Sequence, residues 1–202
     1  MAESEIITQP QLWTVRSMQE NDIDKVVDLA HSLIGANYYD VASVRDLLAR
    51  CRCGDEQLAF VAEQDDKIVG FRFTFGPGRW QKGRGQGLSP HLWPADMKDT
   101  AYFQSAFVVP ALMGFGVGGA LAKAALTALR NVRTRAVVAH CWKESPHNSS
   151  FRYLSKLGFV PVAEYSDYWV DVPYECARDG HPCRCTAIEM VLDLGPQMDG
   201  IL

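Results

Sequence analysis

Two short stretches of this 202-residue chain carry chemistry-bearing residue types at close spacing. The first is Val108-Val109-Pro110-Ala111-Leu112-Met113-Gly114-Phe115-Gly116-Val117-Gly118-Gly119, where glycines run into an Ala- and Leu-rich segment. A helix start leaves about four backbone N–H groups unpaired at the positive end of its dipole, and glycines let phosphate oxygens approach that backbone closely. A pyrophosphate could sit there. A Walker A loop is excluded, because no Gly-Lys-Ser/Thr follows and the next lysine, Lys123, lies well inside the helix. Gly114-x-Gly116-x-x-Gly119 also satisfies the dinucleotide fingerprint, with Glu144 lying 25 residues past Gly119. Against that reading, the turn follows an antiparallel hairpin and only one more αβ unit comes after it.

The second stretch is Cys176-Ala-Arg-Asp-Gly-His181-Pro-Cys183-Arg-Cys185. Cys176, His181, Cys183 and Cys185 are soft or borderline ligands on a Gly/Pro turn, and together could wrap one tetrahedral Zn²⁺. Asp179 stands where a Cys-x-x-Cys knuckle would carry its second cysteine. Reduced thiols packed under a sheet, or a pairing of Cys183 or Cys185 with Cys176, are the alternatives. Cys51 and Cys53 could join only through tertiary proximity.

The hydrophobic periods outline the scaffold that must position these stretches. Residues 12–18 are short and β-rich, and Ile23, Val26, Val27, Ala30 and Leu33 or Ile34 then recur at helical spacing up to Gly35. A second helix runs from Asp40, with Val44, Leu47, Leu48 and Cys51 on one face, to near Gly54. LAFVAEQ (58–64) and IVGFRFTF (68–75) flank Asp65-Asp66-Lys67 as an antiparallel hairpin. Residues 76–99 are too rich in Gly and Pro for regular structure, and Trp80 and Trp93 within them either line a substrate mouth or tack the loop to the core. Strands follow at 101–109, 135–142, 160–170 and 185–194, with helices through Arg130 and over 149–157. The order is β-α-α-β-β-loop-β-α-β-α-β-hairpin-β, a mixed sheet with helices on its faces.

Composition narrows the function classes. With 20 Lys+Arg against 24 Asp+Glu and no basic run, the positive field that nucleic-acid binding needs is missing. No stretch reaches the roughly 18 consecutive apolar residues of a membrane span. Residues 1–10, MAESEIITQP, read as an acidic tail without an apolar signal region. The expectation is a soluble, cytoplasmic protein with neither nucleic acid nor membrane as partner, whose thiols are kept reduced. Residues 11–202 read as a single domain, with a long Gly/Pro/Trp loop over 79–99 and a Cys-rich hairpin over 171–185.

Pro110-x-x-Met-Gly-Phe-Gly-Val-Gly-Gly resembles the pyrophosphate loop of the GNAT acetyltransferase superfamily, Arg/Gln-x-x-Gly-x-Gly/Ala after a strand ending in Val-x-Pro. Gly116 and Gly118 match, and Met113 stands where the family prefers Arg or Gln. Ser149 to Val162 is similar to the family's helix ending in Lys-x-Gly-Phe, here Lys156-Leu157-Gly158-Phe159, followed by a strand. Chain order and the spacing of the two motifs agree over residues 12–170 and the last strand.

The resemblance implies an α/β (α+β) fold, a mixed, mostly antiparallel sheet with two splayed central parallel strands and flanking helices, plus the Cys-rich C-terminal β-hairpin. It implies acetyl-CoA as cosubstrate in a V-shaped opening between strands 101–109 and 135–142. The pantetheine arm would pair with backbone around Val108 and Val109. The pyrophosphate would lie on Gly114, Phe115, Gly116, Gly118 and Gly119, and a backbone N–H near Val108 would polarise the thioester. The family's usual Asn falls on His147 with Asn148 one residue late, and its usual acid Tyr falls on Leu154 with Tyr153 beside it. Tyr153 is the expected general acid, Glu144 and His147 are the candidate bases, and Asn148 joins the cofactor set. Cys141 is expected as a buried thiol, since direct attack needs no acyl-enzyme. The acceptor would be a small amine or a peptide N-terminus, and a homodimer is compatible with the pattern. A catalytically degenerate acyl-CoA-binding or partner-binding module is the alternative, and a Rossmann-type enzyme a remoter one.

Overall fold

The computed structural model describes residues 13–35 and 37–195; the expected acidic tail lies outside them. The strands are β1 (Thr14–Ser17), β2 (Arg52–Cys53), β3 (Glu56–Gln57), β4 (Phe60–Gln64), β5 (Lys67–Phe75), β6 (Thr100–Val108), β7 (Ala136–Trp142), β8 (Val160–Tyr165) and β9 (Ala187–Asp193). The helices are α1 (Ile23–Leu33), α2 (Val41–Arg50), α3 (Val117–Asn131) and α4 (Ser149–Lys156).

Local signals account for most of these boundaries. Helix α1 buries Ile23, Val26, Val27 and Ala30, one stripe at helical spacing. Helix α2 opens on a reciprocal cap: the Ser43 amide donates to the Asp40 carboxylate at 2.7 Å, and the Asp40 amide to the Ser43 hydroxyl at 2.9 Å. It stops at Arg50, and the small β2–β3 hairpin follows, which the apolar pattern had merged with the helix end. Asp65 and Asp66, both at positive φ (48° and 61°), make the two-residue turn that matches the twist of a β4–β5 hairpin.

The main sheet runs β1-β4-β5-β6-β7-β9-β8. Among its pairings only β6 with β7 is parallel. Side chains alternate faces along β5. Phe71 and Phe73 meet Tyr39 beside α2, while Gly70 turns toward Leu121 of α3. Helices α1 and α2 therefore cover one face and α3 the other, where α4 packs on β7. Two expectations need correction. Strand β8 ends at Tyr165 instead of residue 170, and residues 171–185 form no β-hairpin of their own, only the single bridge between Cys176 and Gly180. The chain leaves the sheet there because Tyr168 and Tyr174 are drawn into the core.

Candidate functional site

The parallel pair is short. Residues Thr100–Phe103 match Ala136–Ala139, after which β6 stays with β5 as far as Val108 and β7 stays with β9 to Trp142. The strands part there, leaving facing edges without a ladder between them. A bulge marks the point of parting: Thr74 pairs with Phe103 and Phe73 with Ser105, so Gln104 is the extra residue that re-aims β6. The Val109 amide donates to the Val69 carbonyl at 2.9 Å. By antiparallel alternation, Val108 then turns its own N–H and C=O toward the open edge. Of the expected backbone pair, Val108 has its amide on the side away from β5 and Val109 has its amide bonded to β5.

That open edge leads into the glycine turn. Gly114 (φ +84°) and Gly116 (φ +88°) hold left-handed conformations that cost an L side chain about 1–2 kcal/mol. The first intrahelical bond of α3 is Ala120 N–H to Gly116 O at 2.9 Å, so Val117, Gly118 and Gly119 begin the helix without intrahelical acceptors. A Cβ at Gly114 or Gly119 would meet nothing within 4 Å among the described residues. The Phe115 amide is spent on the Leu112 carbonyl at 3.3 Å, and its ring is 70% exposed. It contributes no amide to an anion. The dinucleotide-fold reading fails, since the turn sits beside one parallel strand pair in a mixed sheet instead of consecutive βαβ units.

Helix α4 packs on β7 beside the parting strands. Leu154, at the family's usual acid position, is buried in the core, whereas Tyr153 lies across to α3. Its hydroxyl donates to the Gly118 carbonyl at 3.0 Å and accepts from Arg72 Nη2 at 2.8 Å. Arg72 is 2% exposed, stacks 3.9 Å from the Phe103 ring centroid, and has no hydrogen-bond partner for its Nε among the described residues. A guanidinium with no carboxylate partner among the described residues therefore lies beside the residue where β6 and β7 part. Sequence reasoning missed Arg72; its signal was a lone cation in the apolar run IVGFRFTF.

The other expected catalytic and cofactor residues are dispersed. The Glu144 carboxylate accepts from the Thr186 amide at 3.1 Å and pairs with Arg178 at 3.6 Å, which directs it toward the cysteine turn. His147 and Asn148 are exposed, both at φ +54° in the link before α4. Asn148 lines a shallow hollow with Lys143, Phe151 and Glu164. Phe151 and Tyr153 lie on opposite sides of α4, so this hollow faces away from the glycine turn. Cys141 is buried as expected, and burial pushes its thiol up to about 11.

On the α1–α2 face, a polar array that the sequence did not disclose sits beside the parting strands. His140, one residue past the last parallel pair, has Nε2 3.1 Å from Glu189 and Nδ1 3.3 Å from the Tyr102 hydroxyl. Glu189 also accepts from the Trp93 indole at 2.9 Å and the Ser89 amide at 3.1 Å. Burial holds the His140 pKa below its ordinary value, with the Glu189 bond opposing. Trp80 and Trp93 are buried and tack the long loop down, Trp80 through its indole N–H to the Thr100 carbonyl. Gly83, Gly85 and Gly87 thread the loop against Tyr168 and Tyr165, where a Cβ would fall 2.0–2.4 Å from their atoms. Arg84, between two of them, stacks 3.9 Å over Tyr38, and Tyr39 bonds Gln104 and Ser105 at the bulge.

The cysteine turn gathers one group, with one exchange from the expected set. Ligand atoms of Cys176, Asp179, Cys183 and Cys185 all lie within 4.8 Å of one another. His181 is exposed and outside that group. The reciprocal backbone bonds of Cys176 and Gly180 close a turn that aims Asp179 inward, and the Cys185 thiol donates to it at 3.2 Å. Burial pushes the Cys176 thiol up, but the amides of Asp179 and Arg178 on its sulfur more than offset this and hold it below the usual range. Burial and the bond to Asp179 raise Cys185.

The model of the acetyltransferase (GNAT) family matches residues 27–159. Among solved structures, Ard1 from Thermoplasma volcanium is similar at 21% identity and a TM-score of 0.63, covering 91% of this chain and 98% of that one. The ribosomal-protein-S18-alanine N-acetyltransferase from Escherichia coli is 16% identical with a TM-score of 0.64, covering 94% and 99%. yncA from Salmonella typhimurium, solved with its cofactor acetyl-CoA, is 16% identical with a TM-score of 0.64, covering 93% and 97%. At these identities the likeness speaks for the fold. No curated protein matches the sequence significantly, and no helix among the described residues is long and apolar enough to cross a membrane.

Proposed function

The chain belongs to the GNAT acetyltransferase family, and on that premise we propose that it moves an acetyl group from acetyl-CoA to an amine by direct attack in a ternary complex. The observation that carries this reading is the open β6 edge running into a left-handed glycine turn. Such an edge can pair with the amides of a pantetheine arm, and the turn presents helix-start N–H groups to a diphosphate. The Val108 amide is the group that would polarise the thioester carbonyl, strongest when the developing oxyanion sits within about 3 Å of it.

Chemistry then needs one bond made and one broken. The amine nitrogen attacks the carbonyl carbon, the C–S bond breaks, and the thiolate takes a proton. Tyr153 is the donor we assign, because its phenol spans the cleft from α4 to α3. Arg72 donates to the same oxygen and would carry part of the charge left on it. Glu144 is held by Thr186 and Arg178, and in this reading the amine's proton leaves to solvent.

The acceptor would enter from the α1–α2 face, past Tyr39 and the glycine-threaded loop. A primary amine fits, either a small molecule or a peptide N-terminus, as an alanine of ribosomal protein S18 is for the Escherichia coli neighbour by its name. The test is thiol release from acetyl-CoA across a panel of amines and short peptides, with product mass measured alongside. One thiol per acetylated amine is expected. Tight CoA binding with no release above hydrolysis for any acceptor would instead identify a binding module without turnover.

A further inference from the structure

We propose that Cys176, Asp179, Cys183 and Cys185 bind one Zn²⁺, which fixes the connection between β8 and β9 against the acceptor side of the molecule. The geometry suits a tetrahedral ion. Two thiolates on one zinc at bonds of about 2.3 Å lie about 3.8 Å apart, and the sulfurs of Cys176 and Cys185 are 3.8 Å apart. The donors converge from two pieces of chain, a closed turn supplying Cys176 and Asp179 and a buried run supplying Cys183 and Cys185.

Polar donors reach two of the sulfurs. The backbone amides of Arg178 and Asp179 point at the Cys176 sulfur, and the Tyr174 hydroxyl donates to the Cys183 sulfur at 3.3 Å. Three thiolates, a carboxylate and a divalent cation leave two negative charges in excess. Arg178 stands beside them, 3.5 Å from Asp179. A disulfide would use only two of the three sulfurs gathered with the carboxylate.

Regular backbone pairing orders little of the segment. Its one backbone bridge is Cys176 with Gly180, yet it packs onto the loop between α1 and α2. Tyr174 meets Tyr38 edge-on at 5.0 Å, and the Glu175 carbonyl presses so closely on Gly35 that a Cβ there would lie 2.1 Å away. Tyr38 in turn lies under Arg84. Metal binding would therefore hold the wall that the acceptor passes and leave the glycine turn alone. That consequence rests on the acetyl-transfer reading; the metal count does not.

The test is elemental analysis of the full chain purified without chelators, followed by chelation and refilling with Zn²⁺ alone, and by Co²⁺ substitution. About one Zn²⁺ per chain is expected, with the charge-transfer band of cobalt thiolates on substitution. Asp179→Cys and His181→Ala should keep the metal, and Cys183→Ser should lose most of it. Chelation should raise the acceptor KM at least severalfold and leave CoA affinity unchanged. A chain that carries far less than one metal and takes up no added Zn²⁺ overturns the proposal, as does a denatured, chelated chain with fewer than its six thiols free. Equal loss of metal in His181→Ala and Cys183→Ser overturns the assignment of Asp179. Should Cys183→Ser fail to fold, the counts for the parent, Asp179→Cys and His181→Ala still decide.

Discussion

Replacing Tyr153 by Phe removes one oxygen, and two separate consequences follow from where that oxygen sits. Arg72 Nη2 loses its acceptor at 2.8 Å while the guanidinium stays 2% exposed, with its Nε already unpaired among the described residues. Losing a hydrogen bond to a buried charge costs about 1.5–3 kcal/mol. In a domain of this size each kcal/mol moves the melting temperature by about 2–4 °C, so a fall of about 3–12 °C is expected. Independently, losing a general acid lowers kcat by about 10²–10⁴. Tyr153→Phe alone therefore confounds packing with chemistry, and a second substitution separates them. Arg72→Met in the Tyr153→Phe background removes the uncompensated cation, so the melting temperature should recover most of its loss. The rate should not. Calorimetric melts and single-turnover thiol release on the parent, both single variants and the double variant complete the cycle. If Tyr153→Phe turns over within about twofold of the parent, or the double variant regains turnover along with stability, the phenol is structural and the proton comes from elsewhere.

Three further outcomes follow from other parts of the molecule. Gly116→Glu places a carboxylate where the diphosphate would lie, and should weaken CoA binding by at least about tenfold in calorimetry. Gly116→Ala, whose Cβ among the described residues meets only Trp13 at 3.9 Å, should cost mainly the backbone strain of about 1–2 kcal/mol; equal CoA affinity in the Glu variant and the parent would dissociate this turn from the cofactor. Gly83→Ala puts a Cβ 2.2 Å from the Tyr168 hydroxyl, so melts should show a loss of about 1–3 kcal/mol, with the acceptor KM raised and the acetyl-CoA KM unchanged. His140 has a folded pKa held below its ordinary value by burial, so the unfolded chain binds more protons once the pH drops below about 6.5. Stability should then fall with falling pH by up to about 1.4 kcal/mol per unit. Denaturant melts between pH 7.5 and 5 should show that slope reduced in His140→Gln, and an unchanged slope would mean that His140 is not held neutral.

What the sequence determined by itself lies within a helical turn or a hairpin of the residues concerned. The stripe from Ile23 to Ala30, the Asp40 cap, the Asp65-Asp66 turn and the glycines that open α3 are each set by neighbours a few residues away. Backbone conformation responds to such neighbours directly, which is why the order of elements and the glycine turn were legible, and with them the resemblance. The tertiary structure decided which side chains meet. Tyr153 finds Arg72 81 residues away and Gly118 35 residues away, and neither distance leaves a trace in local periodicity. Arg72 and Glu189 were lone charges in apolar strands, visible as anomalies, but their partners depend on how β5, β6, β7 and β9 stack. Gly83, Gly85 and Gly87 have the look of a flexible loop, yet the closeness of Tyr165 and Tyr168 gives them their reason. Asp179 displaced His181 from the cysteine group because a turn closed by two backbone bonds fixes the direction of each side chain, and ligand spacing along the chain does not record direction.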